Sequence, residues 1–92
     1  MKPPPFYELS LFVAGASPNS VRAITNLKNM CEKYFSGHYK LEIIDIHQQS
    51  LPSGYDQVKV LPMLIKNLPL PSSRLIGDMS DTFKVLKSLD YE

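Results

Sequence analysis

The stretch from Tyr7 to Ala23 limits the possible folds most strongly. An alternating apolar run stops at Gly15, and helical spacing starts at Pro18. Tyr7, Leu9, Leu11 and Val13 fall on one face of a strand, and Glu8 and Ser10 on the other. Phe12 adds an apolar group to that second face, which predicts a strand covered on both sides near its C-terminal end and placed inside a sheet. Pro18 fits a first helical position, where its missing N–H costs no hydrogen bond, and Ser17 before it can cap the free amides. Turns of this kind hold the chemistry in several folds, so their residues bear on whether the chain is an enzyme or a binding protein.

From Pro18 to Phe35 the apolar positions Val21, Ile24, Leu27, Met30 or Cys31, and Tyr34 recur every three or four residues, which predicts one amphipathic helix. Gly37 is its expected C-terminal cap, and Tyr39 to Ile46 reads as a second strand. Strand, helix and strand with short connections make a parallel, right-handed crossover unit.

After Ile46 the periodicity weakens. His47 to Tyr55 carries Pro52 and Gly54 and reads as a loop. Val58, Val60, Leu61, Met63, Leu64 and Ile65 fit neither a period of two nor one of 3.6, so strand and helix both stay open there. Asn67 to Ser73 is a proline-punctuated turn, and Arg74 to Gly77 a short strand. Ser80 is the expected cap of a last helix through Leu89, with Phe83, Leu86 and Leu89 facing inward and Val85 beside them.

Composition narrows the function classes. Ninety-two residues with 43% hydrophobic and 21% charged side chains make one globular domain, residues 1–92, behind a Pro-rich lead over residues 1–5 that is expected to be flexible. Ten Lys and Arg against nine Asp and Glu leave a charge of +1, too small for coating nucleic acid or an anionic membrane. No apolar run nears the roughly 20 residues that span a bilayer, and the N-terminus lacks a signal peptide's apolar segment, so a cytoplasmic location is expected. The single cysteine, Cys31, excludes an intrachain disulfide and a Cys-rich metal site. His38 and His47 flank the second strand without a Cys or carboxylate at ligand spacing, so neither a metal nor another cofactor is expected. Asp78, Ser80 and Asp81 suit a helix N-terminus better than acid–base catalysis.

Strand, helix, strand, a mixed segment after Leu61-Pro62, a short strand and a closing helix is the element order of a thioredoxin-like domain. Such domains place two cysteines around a dipeptide at the first helix, where the helix dipole makes the thiolate nucleophilic. Ser17 and Ser20 occupy those positions here, around Pro18-Asn19. A hydroxyl does not undergo disulfide exchange, and Cys31 lies about four turns into the helix near its buried stripe. Pro62 is the candidate cis proline of such an arrangement.

The residues also carry a family resemblance. Val13-Ala14-Gly15, Ser17-Pro18-Asn19-Ser20-Val21-Arg22-Ala23, Leu27-Lys28-Asn29, Ile44-Asp45, Leu68-Pro69-Leu70-Pro71, Ile76-Gly77-Asp78, Ser80-Asp81, Lys84-Val85-Leu86 and Leu89-Asp90 resemble the KaiB family of clock proteins, without gaps from about Tyr7 to Tyr91. The resemblance implies a non-catalytic adaptor that docks on a hexameric KaiC-type ATPase, engages other clock components and self-associates as a dimer or tetramer. It also implies an α/β fold whose βαβ N-terminal half is constant, while the C-terminal half adopts either a ground-state or a thioredoxin-like arrangement. Partner binding is expected around Asp56, Gln57 and Val58, with Arg22 and Lys40 contributing, and Gly77 and Asp78 match the segment where the rearrangement occurs. The stretch Ser53-Gly54-Tyr55-Asp56-Gln57-Val58 is less charged than its family counterpart, Thr25 and Glu42 stand where full-clock members often carry lysine, and Ser72-Ser73-Arg74 replaces a more basic step. These departures point to a timer or stress-response system. The other readings are a thioredoxin-like redox protein and a stand-alone relative of a clock-output kinase sensor domain; the sequence ends at Glu92 with no kinase region, which favours the adaptor.

Overall fold

The computed structural model describes residues 6–50, 54–55 and 58–91. Its elements run β1 (Tyr7–Val13), α1 (Pro18–Phe35), β2 (Tyr39–Asp45), β3 (Met63–Leu68), β4 (Ser73–Ile76) and α2 (Thr82–Ser88). The Pro-rich lead lies outside the described residues.

The four strands form one sheet in the order β2-β1-β3-β4. β1 therefore lies inside the sheet, as its two apolar faces require. It pairs parallel with β2, Tyr7 opposite Tyr39 and Val13 opposite Asp45, and antiparallel with β3, Phe12 opposite Met63. β3 and β4 pair antiparallel, Met63 opposite Ile76.

Two apolar clusters lie on opposite faces of this sheet. Tyr7, Leu9, Leu11 and Val13 meet Ala23, Leu27, Met30, Cys31 and Phe35 of α1 and Val85 and Leu89 of the C-terminal region. Phe12, Ile44, Val58, Met63 and Ile65 form the smaller cluster on the other face, with Tyr55 and Leu61 against it. This explains why Met63-Leu64-Ile65 shows no clean period: β3 is covered on both faces, so every position in that run is buried. A ring cluster closes one end of the larger core, with Phe35 at 4.3 Å from Tyr7 and 5.2 Å from Tyr91 between centroids.

Several expectations are corrected. Val21 is 49% exposed, and Ser20 and Ala23 take the buried positions instead, because the helix is rotated to bring the Ser20 hydroxyl under the turn before it. Phe83 is 76% exposed; the seven-residue α2 buries Val85 and reaches the core through Leu89 just beyond its end. Asp81 rather than Ser80 caps α2, its carboxylate accepting from Lys84 N at 3.1 Å. The second strand ends at Asp45, and Ile46 still donates its N–H to Val13 O. Pro62, the candidate cis proline, is by contrast cis after Leu61, and Leu68–Pro69 and Leu70–Pro71 are cis as well.

Candidate functional site

The β1–α1 turn is a closed hydrogen-bond system. Ser17 Oγ accepts from Ser20 N at 3.3 Å and donates to Ser20 Oγ at 2.8 Å, and Ser20 Oγ accepts from Ala14 N at 3.1 Å. The Ser17 hydroxyl thus satisfies an amide that the helix start leaves free, and the Ser20 hydroxyl the Ala14 amide just after β1. Gly15 turns the chain at φ +58, and a Cβ there would lie 2.9 Å from His47 Nδ1. Asp45 Oδ1 accepts from Gly15 N and His47 N, both at 2.9 Å, tying the end of β2 to the turn. These two backbone donors, His47 first, hold the Asp45 carboxyl below its ordinary value. Both serines are committed to the backbone and to each other, and among the described residues no histidine or carboxylate hydrogen-bonds to either hydroxyl.

The remaining thiol offers no alternative. Cys31 is fully buried in α1, and burial, reinforced by Glu32, pushes its pKa up to about 12. A thiol in that setting packs as a small hydrophobe and does not form a thiolate at neutral pH. Among the described residues, no three His, Cys, Asp or Glu side chains gather as metal ligands, and no helix is long and apolar enough to cross a membrane.

The sequence-derived binding residues are distributed unevenly. Arg22 and Asp78, 56 positions apart, are brought together: Arg22 Nε donates to Asp78 Oδ2 at 3.3 Å, and its Nη2 donates to Asn19 Oδ1. Asn26 Nδ2 donates to the Asp78 carbonyl at 2.9 Å, and Ser80 N to Asp78 Oδ1 at 3.1 Å. Hydrogen bonds from Ser80 first, and then Arg22, hold the Asp78 carboxyl below its ordinary pKa. Gly77 precedes this knot at φ +136, a backbone region that suits glycine, and donates its N–H to Pro62 O. The two halves of the chain therefore meet through a polar joint as well as through the core.

Lys40 stands apart, exposed on the edge strand β2. Asp56 and Gln57 lie outside the described residues. Val58 is corrected as a contact residue: at 7% exposure it packs with Phe12, Ile44, Met63 and Ile65, so its side chain fills the second core rather than facing a partner. Sequence reading missed Lys66, which is 1% exposed and pairs through Nζ with Asp90 Oδ2 at 2.9 Å. The only signal for it was a lysine closing an otherwise apolar run, and that pattern reads equally as a strand end.

Comparison with known proteins fits this geometry. The model of the KaiB domain matches residues 10–91. The circadian clock oscillator protein KaiB of Synechococcus elongatus is 48% identical over 90 residues, covering 98% of this chain and 88% of that protein. KaiB1 of Synechocystis is 46% identical over 84 residues, covering 91% and 80%. Among solved structures, the N-terminal domain of Synechococcus elongatus SasA superimposes with a TM-score of 0.70 at 23% identity, over 98% of this chain and 89% of that one. Chloroplastic thioredoxin z gives 0.69 at 16% identity, over 92% and 79%. At such identities these two structures speak for a thioredoxin-like fold only. On the family match and the identity to clock oscillator proteins over nearly its whole length, the chain belongs to the KaiB family of circadian clock proteins.

Proposed function

We propose that the chain is a non-catalytic regulatory adaptor that docks on a KaiC-type hexameric ATPase in a clock, timer or stress-response system of the cytoplasm. One observation carries this reading: in a chain of the KaiB family, a thioredoxin-like scaffold has Ser17 and Ser20 where redox members of that fold hold thiols. The scaffold is retained and its chemistry is replaced by a helix cap, which leaves its surface as the working part. Arg22 and Lys40 supply exposed cations on that surface, and Asp56 and Gln57 add polar contacts from the segment after β2. Exposed apolar side chains, Phe83 at 76% and Leu70 at 75%, favour self-association as a dimer or tetramer in the absence of the partner.

Size-exclusion chromatography with a KaiC-type hexamer and ATP tests the reading. Co-elution is expected, and an unchanged profile under every nucleotide condition overturns it. Arg22→Glu and Asp56→Lys are expected to weaken the complex. Since Arg22→Glu also sets two carboxylates together at Asp78, Asp78→Asn serves as the control: it breaks the same ion pair but leaves the guanidinium for the partner. Insulin reduction is expected at background, with Cys31→Ser indistinguishable from the parent.

A further inference from the structure

A cleft of about 330 Å³ lies between α1 and the loop that joins β4 to α2. Its apolar lining comes from Met30 and Met79, 6% and 5% exposed, and from Tyr34. Met79 reaches this position through a backbone at φ +62, next to the carbonyl of Asp78 that Asn26 holds at 2.9 Å. The rim differs in character. Asn29 and Lys33 of α1 face Ser80 of the loop and Thr82 at the start of α2, all four are exposed, and no carboxylate lines the cleft among the described residues.

We propose that this cleft is a docking site for an extended acidic segment of a partner protein, an apolar side chain entering between the methionines while a neighbouring carboxylate meets Lys33. Charge complementarity selects this occupant. The only charged side chain on the rim is the Lys33 ammonium, which lies 5.5 Å from the Tyr34 ring centroid and joins no ion pair among the described residues. Arg22, nearer the start of the same helix, lies outside the cleft and pairs with Asp78. A cation left unpaired beside amides and hydroxyls calls for a carboxylate, and such charge-assisted contacts are among the stronger hydrogen bonds. A small anion would use Lys33 alone and leave the apolar lining against water. An acidic segment with an apolar residue uses both, and thioether-lined surfaces adapt readily to an incoming side chain. The volume lies at the low end of the roughly 300–1,000 Å³ found for ligand pockets, enough for one side chain and its flanking backbone.

The test uses the isolated full chain, so it stands apart from docking on the ATPase. A blocked pentapeptide alternating glutamate and leucine is titrated at low salt and followed by amide chemical shifts. Saturable shifts are expected at Asn29, Lys33, Met79 and Thr82. The glutamine counterpart of the peptide should bind about threefold more weakly, as for an exposed ion pair, Lys33→Gln should remove that difference, and Lys28→Gln, on the same helix but outside the cleft, should leave it unchanged. Three results would overturn the proposal: shifts centred instead on Phe83 and Tyr91, equal binding of the neutral peptide, or an equal loss from Lys28→Gln. Succinate that saturates the same amides as tightly as the peptide would also overturn it, since the apolar lining would then contribute nothing.

Discussion

The chain up to Ile46 and the chain after it are stabilised in different ways. The first part is one continuous unit, an 18-residue capped helix laid over two parallel strands that share a seven-residue register. The second part contributes a four-residue edge strand and a seven-residue helix, and it holds to the first through β3, the ends of α2 and side-chain contacts such as Arg22–Asp78 and Lys66–Asp90. A helix of two turns is marginal by itself, because nucleation costs more than so few hydrogen bonds return. The stability of the second part is therefore tertiary, whereas much of the first part's is already local. That difference matters for a binding protein, since segments that depend on a few remote contacts are the ones a partner can most easily reshape.

The comparison is sharpest where the core is densest. Leu27→Ala removes a fully buried side chain of α1 beneath the sheet, and a loss of about 3 kcal/mol is expected by denaturant unfolding, within the usual range for such truncations. A loss below about 1 kcal/mol would mean that the first part is no better packed than the second.

The two helix caps come next. Ser17→Ala and Asp81→Ala should each cost about 1 kcal/mol. Their reach should differ: amide exchange after Asp81→Ala is expected to rise over α2 alone, while Ser17→Ala also frees the Ser20 hydroxyl that holds Ala14 N and should raise exchange in the β1–α1 turn. Equal spread of the two effects would mean that the two parts of the chain are not stabilised separately.

Acid should loosen both parts at their joints. Folding lowers the pKa of Asp45 and of Asp78 below the ordinary 3.8, so the unfolded state binds protons more readily. Their contribution is complete well above that value and is lost as pH falls through 3.8 toward the lowered folded-state values. In a pH series of thermal unfolding, Asp45→Asn with Asp78→Asn should flatten this acid limb, and an unchanged slope would remove both carboxylates from the account.

The smallest effect is expected at Phe83. With 76% of the residue exposed, Phe83→Ala should change stability by less than about 0.5 kcal/mol, measured in the same denaturant series. A larger loss at high protein concentration only would assign the ring to self-association.

By itself the sequence determined β1, α1, β2 and the serine cap between the first two, because period, proline position and cap chemistry are local properties that act within a few residues. It also displayed, at Ser17 and Ser20, that the turn lacks thiols, and its motifs marked the family. Tertiary structure decided the rest. Whether Met63-Leu64-Ile65 is strand or helix depends on there being a cover for each face, and only the assembled sheet provides two. Val58 became core and Val21 and Phe83 surface for the same reason: burial is set by which neighbours arrive, not by side-chain polarity alone. Arg22 and Asp78 form one joint, and Asn29, Lys33, Met79 and Thr82 one cleft, only because residues some 50 positions apart converge there, a distance over which no local pattern carries information.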